Sequence, residues 1–177
     1  MSTRELEFRD APDLLAWARD EEGSRFFLGD KDSLCLADME SFILGSMLLE
    51  DDYHLCISDK EDKLVGLASL KNIDRQEKRA EFSIGLLPAA QGKGLARDAA
   101  EDLLVIAFLE LELTGIYMYT DAKNLAAQAF NDRCGFHPLP DPPPGVKPEA
   151  SPEVSNPEAL RWYGLSREEY LARLGRV

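Results

Sequence analysis

Leu87-Pro88-Ala89-Ala90-Gln91-Gly92-Lys93-Gly94-Leu95-Ala96-Arg97 joins an extended run, Glu81 to Leu87, to an apolar-periodic run that begins at Leu95. Gly92 and Gly94 can adopt backbone conformations closed to residues with a Cβ, so the loop curls with successive N–H groups turned inward at the start of a helix. The unpaired N–H groups and the dipole of that helix start favour a phosphate. The stretch therefore reads as strand, anion-holding loop and helix, and the remaining elements are ordered by it.

Spacing separates the kinds of site such a loop can build. A P-loop needs Ser or Thr after its lysine, and Gly94 follows Lys93. A dinucleotide fingerprint needs a third glycine where Arg97 stands. Gln-x-x-Gly-x-Ala, Gln91 to Ala96, does fit, and it resembles the acyl-CoA pyrophosphate loop of the GNAT N-acetyltransferase superfamily. Upstream, Ala80 to Pro88 is similar to the family's fourth strand. Downstream, Asn124 to Phe136 is similar to its later helix and the strand after it. The resemblance is strongest over residues 63 to 138, and the spacing is most similar to the branch that includes ribosomal-protein-alanine N-acetyltransferases.

At 177 residues the chain is most simply one domain, residues 1–177, able to bury roughly two-thirds of the surface it exposes when unfolded. A net charge of −13 argues against general nucleic-acid binding, which relies on clustered Lys and Arg, and can draw in a cationic amine. An anionic CoA then needs a local basic patch, for which Lys93, Arg97, Lys123 and Arg133 are candidates. No apolar stretch approaches the ~20 residues of a membrane span, and Met1 to Glu5 lacks the apolar core of a secretory signal, so the expectation is cytoplasmic and not membrane-bound. Three dispersed cysteines suit reduced thiols, and with two histidines no metal centre is expected.

Along the chain, Glu5 to Arg9 alternates as a first strand, and Asp10 or Asp13 caps a helix through Leu14, Leu15, Trp17 and Ala18. Asp32 or Ser33 starts a second helix with Leu36, Met39, Phe42, Ile43 and Met47 at helical spacing. Tyr53–Ser58 and Lys63–Leu70 form a hairpin around Asp59-Lys60-Glu61-Asp62, with Gly66 a close packing point or bulge. Lys71 to Arg79 is a charged connection. A helix runs from Leu95 to about Leu113, with Gly115 ending it, and Ile116–Thr120 is a strand. Asn124–Arg133 is a helix and Cys134-Gly135-Phe136 starts another strand. Eight prolines between Pro138 and Pro157 forbid regular helix and make a semi-rigid irregular loop over about 138–157. Ala159–Gly164 reads as a last edge strand, and Ser166-Arg167-Glu168-Glu169 has capping-box spacing. The fold expected is α/β of the α+β type: the GNAT fold, a mixed, mostly antiparallel sheet split near the glycine loop, with helices on both faces.

The resemblance implies acetyl-CoA as co-substrate, with Gln91, Gly92, Lys93, Gly94, Leu95, Ala96 and Arg97 at its pyrophosphate and Ile84, Gly85 and Leu86 along its pantetheine arm. Asn124 would bond the pantetheine amides, although a helix N-cap also explains it. An alkylamine must lose a proton before it attacks, so a carboxylate is needed. Glu81 is the candidate, the alternative being a surface residue paired with Lys78 or Arg79. Where many relatives carry a tyrosine that protonates the departing thiolate, this chain has Asn131, with Phe130 before it. Tyr117, Tyr119 or Cys134 replaces it, or water serves, or Asn131 orients the thioester. Because a free thiol has a pKa near ~8.5, its thiolate can leave without an obligatory acid. Arg25, Phe26 and Phe27 lie where the family commonly borders its acceptor. The expected activity is direct acetyl transfer from acetyl-CoA to a primary amine of a small molecule. A protein N-terminal acetyltransferase and a non-catalytic acyl-CoA-binding module are the alternatives, with monomer and homodimer both open.

Overall fold

A computed structural model describes residues 3–20, 27, 30–48, 51–148 and 159–175. Its strands are β1 (Thr3–Glu5), β2 (Tyr53–Ser58), β3 (Leu64–Asp74), β4 (Arg79–Leu86), β5 (Gly115–Asp121), β6 (His137–Leu139) and β7 (Leu160–Ser166). Its helices are α1 (Ala11–Arg19), α2 (Leu36–Met47), α3 (Leu95–Val105), α4 (Leu125–Arg133) and α5 (Arg167–Arg173). Among the described residues the strands form one seven-stranded sheet in the order β1-β2-β3-β4-β5-β7-β6.

The β2–β3 hairpin forms where alternation and a polar turn predict it. Asp59 closes the turn, its carboxylate accepting the N–H groups of Glu61 and Lys63 while its own N–H donates to the Lys63 carbonyl. Gly66 is a close packing point: a Cβ there would stand 2.3 Å from the Gly85 carbonyl oxygen and 2.7 Å from Leu86 Cδ2. Every strand pair is antiparallel except β4–β5. That parallel pairing covers only Arg79 to Glu81 against Gly115 to Tyr117. Beyond it the strands part, so the expected split of the sheet is present and opens toward the glycine loop.

One face of the sheet carries Leu55, Ile57, Ala68, Leu70, Ala80 and Phe82 against Ala99, Leu103 and Phe108 of the α3 segment and Tyr170 of α5. The other carries Cys56, Leu64 and Leu67 against Leu14, Trp17, Met39 and Ile43 of α1 and α2. At the β5–β7 end this second face is closed by Tyr117, Leu160 and Trp162, with Val146 of the proline-rich segment packed on them.

Several local expectations are corrected. The first strand is Thr3–Glu5 rather than Glu5–Arg9, because Asp10 pulls the chain into a turn: its carboxylate takes two bonds from Arg4 at 2.7 Å and accepts the Glu7 N–H. Asp10 precedes α1 but makes no side-chain cap, since its oxygens are spent there. Helix α2 starts after Cys35, not at Asp32 or Ser33, because Asp30 holds those residues in a turn while Asp38 accepts the Cys35 N–H. Its outer residues Leu36 and Met47 are exposed.

Strand β3 continues to Asp74, shortening the expected connection to a tight turn. Helix α3 gives way at Ile106–Glu110 to a π-helical turn, and Glu112 at φ 51° ends the run, so Gly115 starts β5 and caps nothing. Gly135, at φ 82°, delays the strand expected at Cys134 to His137. Strand β7 is no edge: it lies between β5 and β6, with Tyr163 and Leu165 buried on one face and Trp162 on the other. The capping box at Ser166 and Glu169 forms as expected.

Gly66→Ala is expected to lower the unfolding free energy by about 1–3 kcal/mol, since the methyl would overlap backbone of β4 that cannot move freely. Gly115→Ala, whose added methyl meets nothing nearer than the Leu165 carbonyl at 3.9 Å, is expected to stay close to wild type in the same urea titration.

Candidate functional site

The glycine loop follows a short 3-10 turn, Pro88–Ala90, made because Pro88 presets the backbone and the Ala90 and Gln91 N–H groups donate to Leu87 and Pro88 carbonyls. Gln91 reaches back, its side-chain amide donating to the Leu86 carbonyl at 3.4 Å. Gly92 and Gly94 take φ of 75° and 82°, the left-handed region that favours glycine, and a Cβ at either would meet nothing within 4 Å. Their open side is space rather than packing. Gly94 is the N-cap of α3 and no side chain caps the helix, a start whose N–H groups can donate to an anion. Lys93 and Arg97 are exposed beside them.

Beyond Glu81 the β5-facing edge of β4, Phe82 to Leu86, has no strand partner among the described residues. Ile84 and Leu86 are half-buried along it. An extended amide-bearing arm can complete such an edge through backbone hydrogen bonds. Loop and edge lie in line, one continuing into the other through Leu87.

Glu81 is buried at 6% exposure. Neither Lys78 nor Arg79 accounts for it. Its Oε1 stands 3.4 Å from Lys71 Nζ, and its Oε2 accepts from Asn72 Nδ2 at 3.2 Å, both from the facing strand β3. Register carries a row of polar side chains across this face: His54 opposite Ser69, Ser69 opposite Ser83, Lys71 opposite Glu81, and Glu81 opposite Tyr117. Two residues beyond Tyr117 on the same face, Tyr119 lies with its ring centroid 4.9 Å from that of Trp162.

His54 anchors the far end of the row. Its Nδ1 is 2.6 Å from Ser69 Oγ, and its backbone N–H donates to Ser46 Oγ at 3.0 Å. Burial, and the charge of Lys71, push its imidazole down to about 3, so it is neutral at physiological pH. Phe42 stacks on it at 4.3 Å, and Phe27 packs edge-on between Phe42 and Trp17. Phe27 is thus held in the α1–α2 core, while Arg25 and Phe26 lie outside the described residues.

Asn124 is the N-cap of α4, its Oδ1 accepting the Ala127 N–H at 3.0 Å, so its carbonyl oxygen already has a structural use. Asn131 is buried at 5% exposure on the same helix. Cys134 is buried against the α3 core, and its thiol is pushed up to about 11, chiefly by burial. That environment stabilises a neutral thiol and speaks against nucleophilic work. Ser69, His54, Lys71 and Asn72 were not picked out by the sequence reading. One signal for the last two was present: Lys71 and Asn72 are adjacent polar residues where strict alternation allows one, the pattern of a bulge.

The profile of the family described as "Acetyltransferase (GNAT) domain" matches residues 3–137. Spermidine N(1)-acetyltransferase of Vibrio cholerae is 35% identical over 80 residues, 45% of this chain and 46% of that one. The putative ribosomal N-acetyltransferase YdaF of Bacillus subtilis is 32% identical over 76 residues, 43% and 42% of the two chains. The chain thus spans less than half the length of these curated relatives. Among solved structures, spermidine/spermine N-acetyltransferase SpeG from Vibrio cholerae in complex with manganese ions superposes with a TM-score of 0.74 at 22% identity, over 97% of this chain and 95% of that one. A dodecameric structure of spermidine N-acetyltransferase from the same organism gives 0.73 at 20%, over 97% and 96%. At these identities the structural likeness concerns the fold.

Neutral, buried His54 makes stability depend on pH. Its folded pKa lies below the ordinary 6.5, so its contribution is full above pH 6.5 and is lost as pH falls toward about 3. Urea titrations at stepped pH are expected to show wild type losing stability faster than His54→Asn across this window, by up to ~1.4 kcal/mol per pH unit. Parallel slopes would contradict the buried neutral ring.

Proposed function

Because the chain belongs to the GNAT acetyltransferase family, we propose that it transfers an acetyl group directly from acetyl-CoA to a primary amine of a small molecule. The observation that carries this reading is the buried carboxylate of Glu81 beside an unpaired strand edge that leads into an open glycine loop.

In this reading the first turn of α3 and the N–H groups of Gly92 to Ala96 hold the pyrophosphate, with Gln91 fixing the loop from behind and Lys93 and Arg97 adding charge. Ile84 and Leu86 line the pantetheine arm, which bonds the open edge of β4. Asn124 and Asn131 on α4 face the arm from the β5 side. Acetyl-CoA supplies the activated acetyl group. Glu81 accepts the proton of the ammonium form of the acceptor, directly or through a water, and so frees the lone pair that attacks. A backbone N–H of β4 near the split steadies the carbonyl oxygen as it gains charge. Tyr119, rather than buried Cys134, is the candidate to protonate the departing thiolate, and Asn131 orients the thioester. Phe27, packed between Phe42 and Trp17, borders the acceptor from the α1–α2 side.

Two considerations favour a small amine over a protein N-terminus. The matched relatives named as spermidine acetyltransferases reach 35% and 38% identity, against 32% for the putative ribosomal N-acetyltransferase. The net charge of −13 also draws a polycationic acceptor toward a site whose own base is a carboxylate. A non-catalytic acyl-CoA-binding module is the competing class, and Asn131 in the place of the family's tyrosine is what speaks for it.

The test is acetyl-CoA-dependent thiol release over a panel of polyamines, amino sugars, amino acids and short peptides with free N-termini. Release stimulated by small amines and not by peptides is expected; peptide-only stimulation would overturn the acceptor class, and tight acetyl-CoA binding without any stimulation would support the binding module. Gly94→Glu places a Cβ at φ 82° and a negative charge at the pyrophosphate, so calorimetry should find acetyl-CoA affinity reduced at least tenfold, on the order of 1.4 kcal/mol or more. Glu81→Gln should slow turnover on the order of 100-fold at neutral pH while leaving acetyl-CoA affinity within about twofold.

A further inference from the structure

We infer that the bulge in β3 at Asn72 is a positioning device for Glu81, with Lys71 and Asn72 clamping one carboxylate oxygen each. The inference rests on the reading of Glu81 as the base, and goes beyond it by assigning two residues that act through it.

In a regular strand, adjacent residues point to opposite faces of the sheet. Lys71 and Asn72 nevertheless both reach the same carboxylate, Lys71 Nζ at 3.4 Å from Oε1 and Asn72 Nδ2 at 3.2 Å from Oε2. The β3–β4 register explains how: it is regular from Gly66 to Lys71, then shifts before Asp74. Asn72 sits in the shift at φ 51°, a left-handed conformation that asparagine tolerates better than most residues. The extra residue turns its side chain back to the face that Lys71 already occupies.

The bulge is itself anchored. The Asn72 N–H donates to Asp52 Oδ1 at 2.9 Å, and the next N–H, that of Ile73, donates to the Asp51 carbonyl at 2.8 Å. These bonds hold the distorted backbone against the segment entering β2, independently of Glu81. A backbone departure with its own supports, whose result is a second donor on one buried carboxylate, fits a positioning role better than a packing one.

Chemically, the clamp does two things. It supplies a cation and a neutral donor to a carboxylate that burial would otherwise disfavour. It also fixes the plane of the carboxyl group, which must meet an ammonium proton within hydrogen-bond distance. Losing one donor leaves the base present but badly aimed, so turnover falls more than acetyl-CoA binding.

Asn72→Gly separates the side chain from the backbone, because glycine accepts φ 51° and keeps the N–H bond to Asp52. With the best acceptor of the panel, kcat is expected to fall roughly tenfold, the loss typical of one hydrogen bond to a charged group, while the KM for acetyl-CoA stays within about twofold. Lys71→Met should lose a similar or larger factor, and Lys71→Arg should recover most of it. Asn72→Asp, which keeps the backbone but sets a second carboxylate against Glu81, should be slower than Asn72→Gly. In a Glu81→Gln background, Asn72→Gly should cost nothing further. A fall of equal size in both backgrounds, or an Asn72→Gly enzyme as fast as wild type while Glu81→Gln is slow, would overturn the clamp and leave the function standing. A Glu81→Gln enzyme as fast as wild type would overturn the base itself and the clamp with it.

Discussion

The structure depends on how briefly β4 and β5 stay together. They are the one parallel pair in the sheet, and they pair only from Arg79 to Glu81 and from Gly115 to Tyr117. A parallel pair flanked by antiparallel strands is a switch in the direction of the sheet, and past the last paired residue each strand follows a different neighbour: β4 stays with β3, β5 with β7. The wedge between them exposes backbone that nothing else in the described fold completes. In an α/β sheet, a ligand finds its place at such a switch, at the carboxyl ends of the strands.

The position of Glu81 follows from the same constraint. It is the last β4 residue of the parallel pair, so it lies at the apex of the wedge, enclosed by β3 on one side and Tyr117 on the other. A carboxylate that deep is unfavourable unless donors reach it. Strand β3 provides two of them, Lys71 and Asn72. The need for two donors from β3 gives a physical reason for the break in its alternation. Across the same face, buried His54 bonds Ser69 through Nδ1 and packs against the Phe42 ring. The polar row therefore ends in a neutral, closed group rather than in a second charge.

Much of the fold was legible locally. The Tyr53–Ser58 strand, the Asp59 turn, the Gly66 contact, the glycine loop and the Ser166 capping box are each written in a few consecutive residues, and each formed as read. The misreadings have a common cause. Gly115 resembles a helix stop, yet Glu112 in a left-handed turn stops the helix first. Asp10 resembles a cap, but Arg4 and the Glu7 N–H take its oxygens. In both cases a nearby competitor in space defeated a correct local propensity.

Sequence alone determined the glycine loop and the α/β alternation, because these arise from backbone freedom and periodicity within a short span; it left Glu81 open between a base and a surface residue. Tertiary structure alone decided that β7 enters between β5 and β6, that Lys71 and Asn72, not Lys78 or Arg79, hold Glu81, and that Phe27 packs under Phe42. Strand order and cross-strand register join residues far apart in the chain. Those pairings are selected by the burial of whole faces, which no local pattern contains.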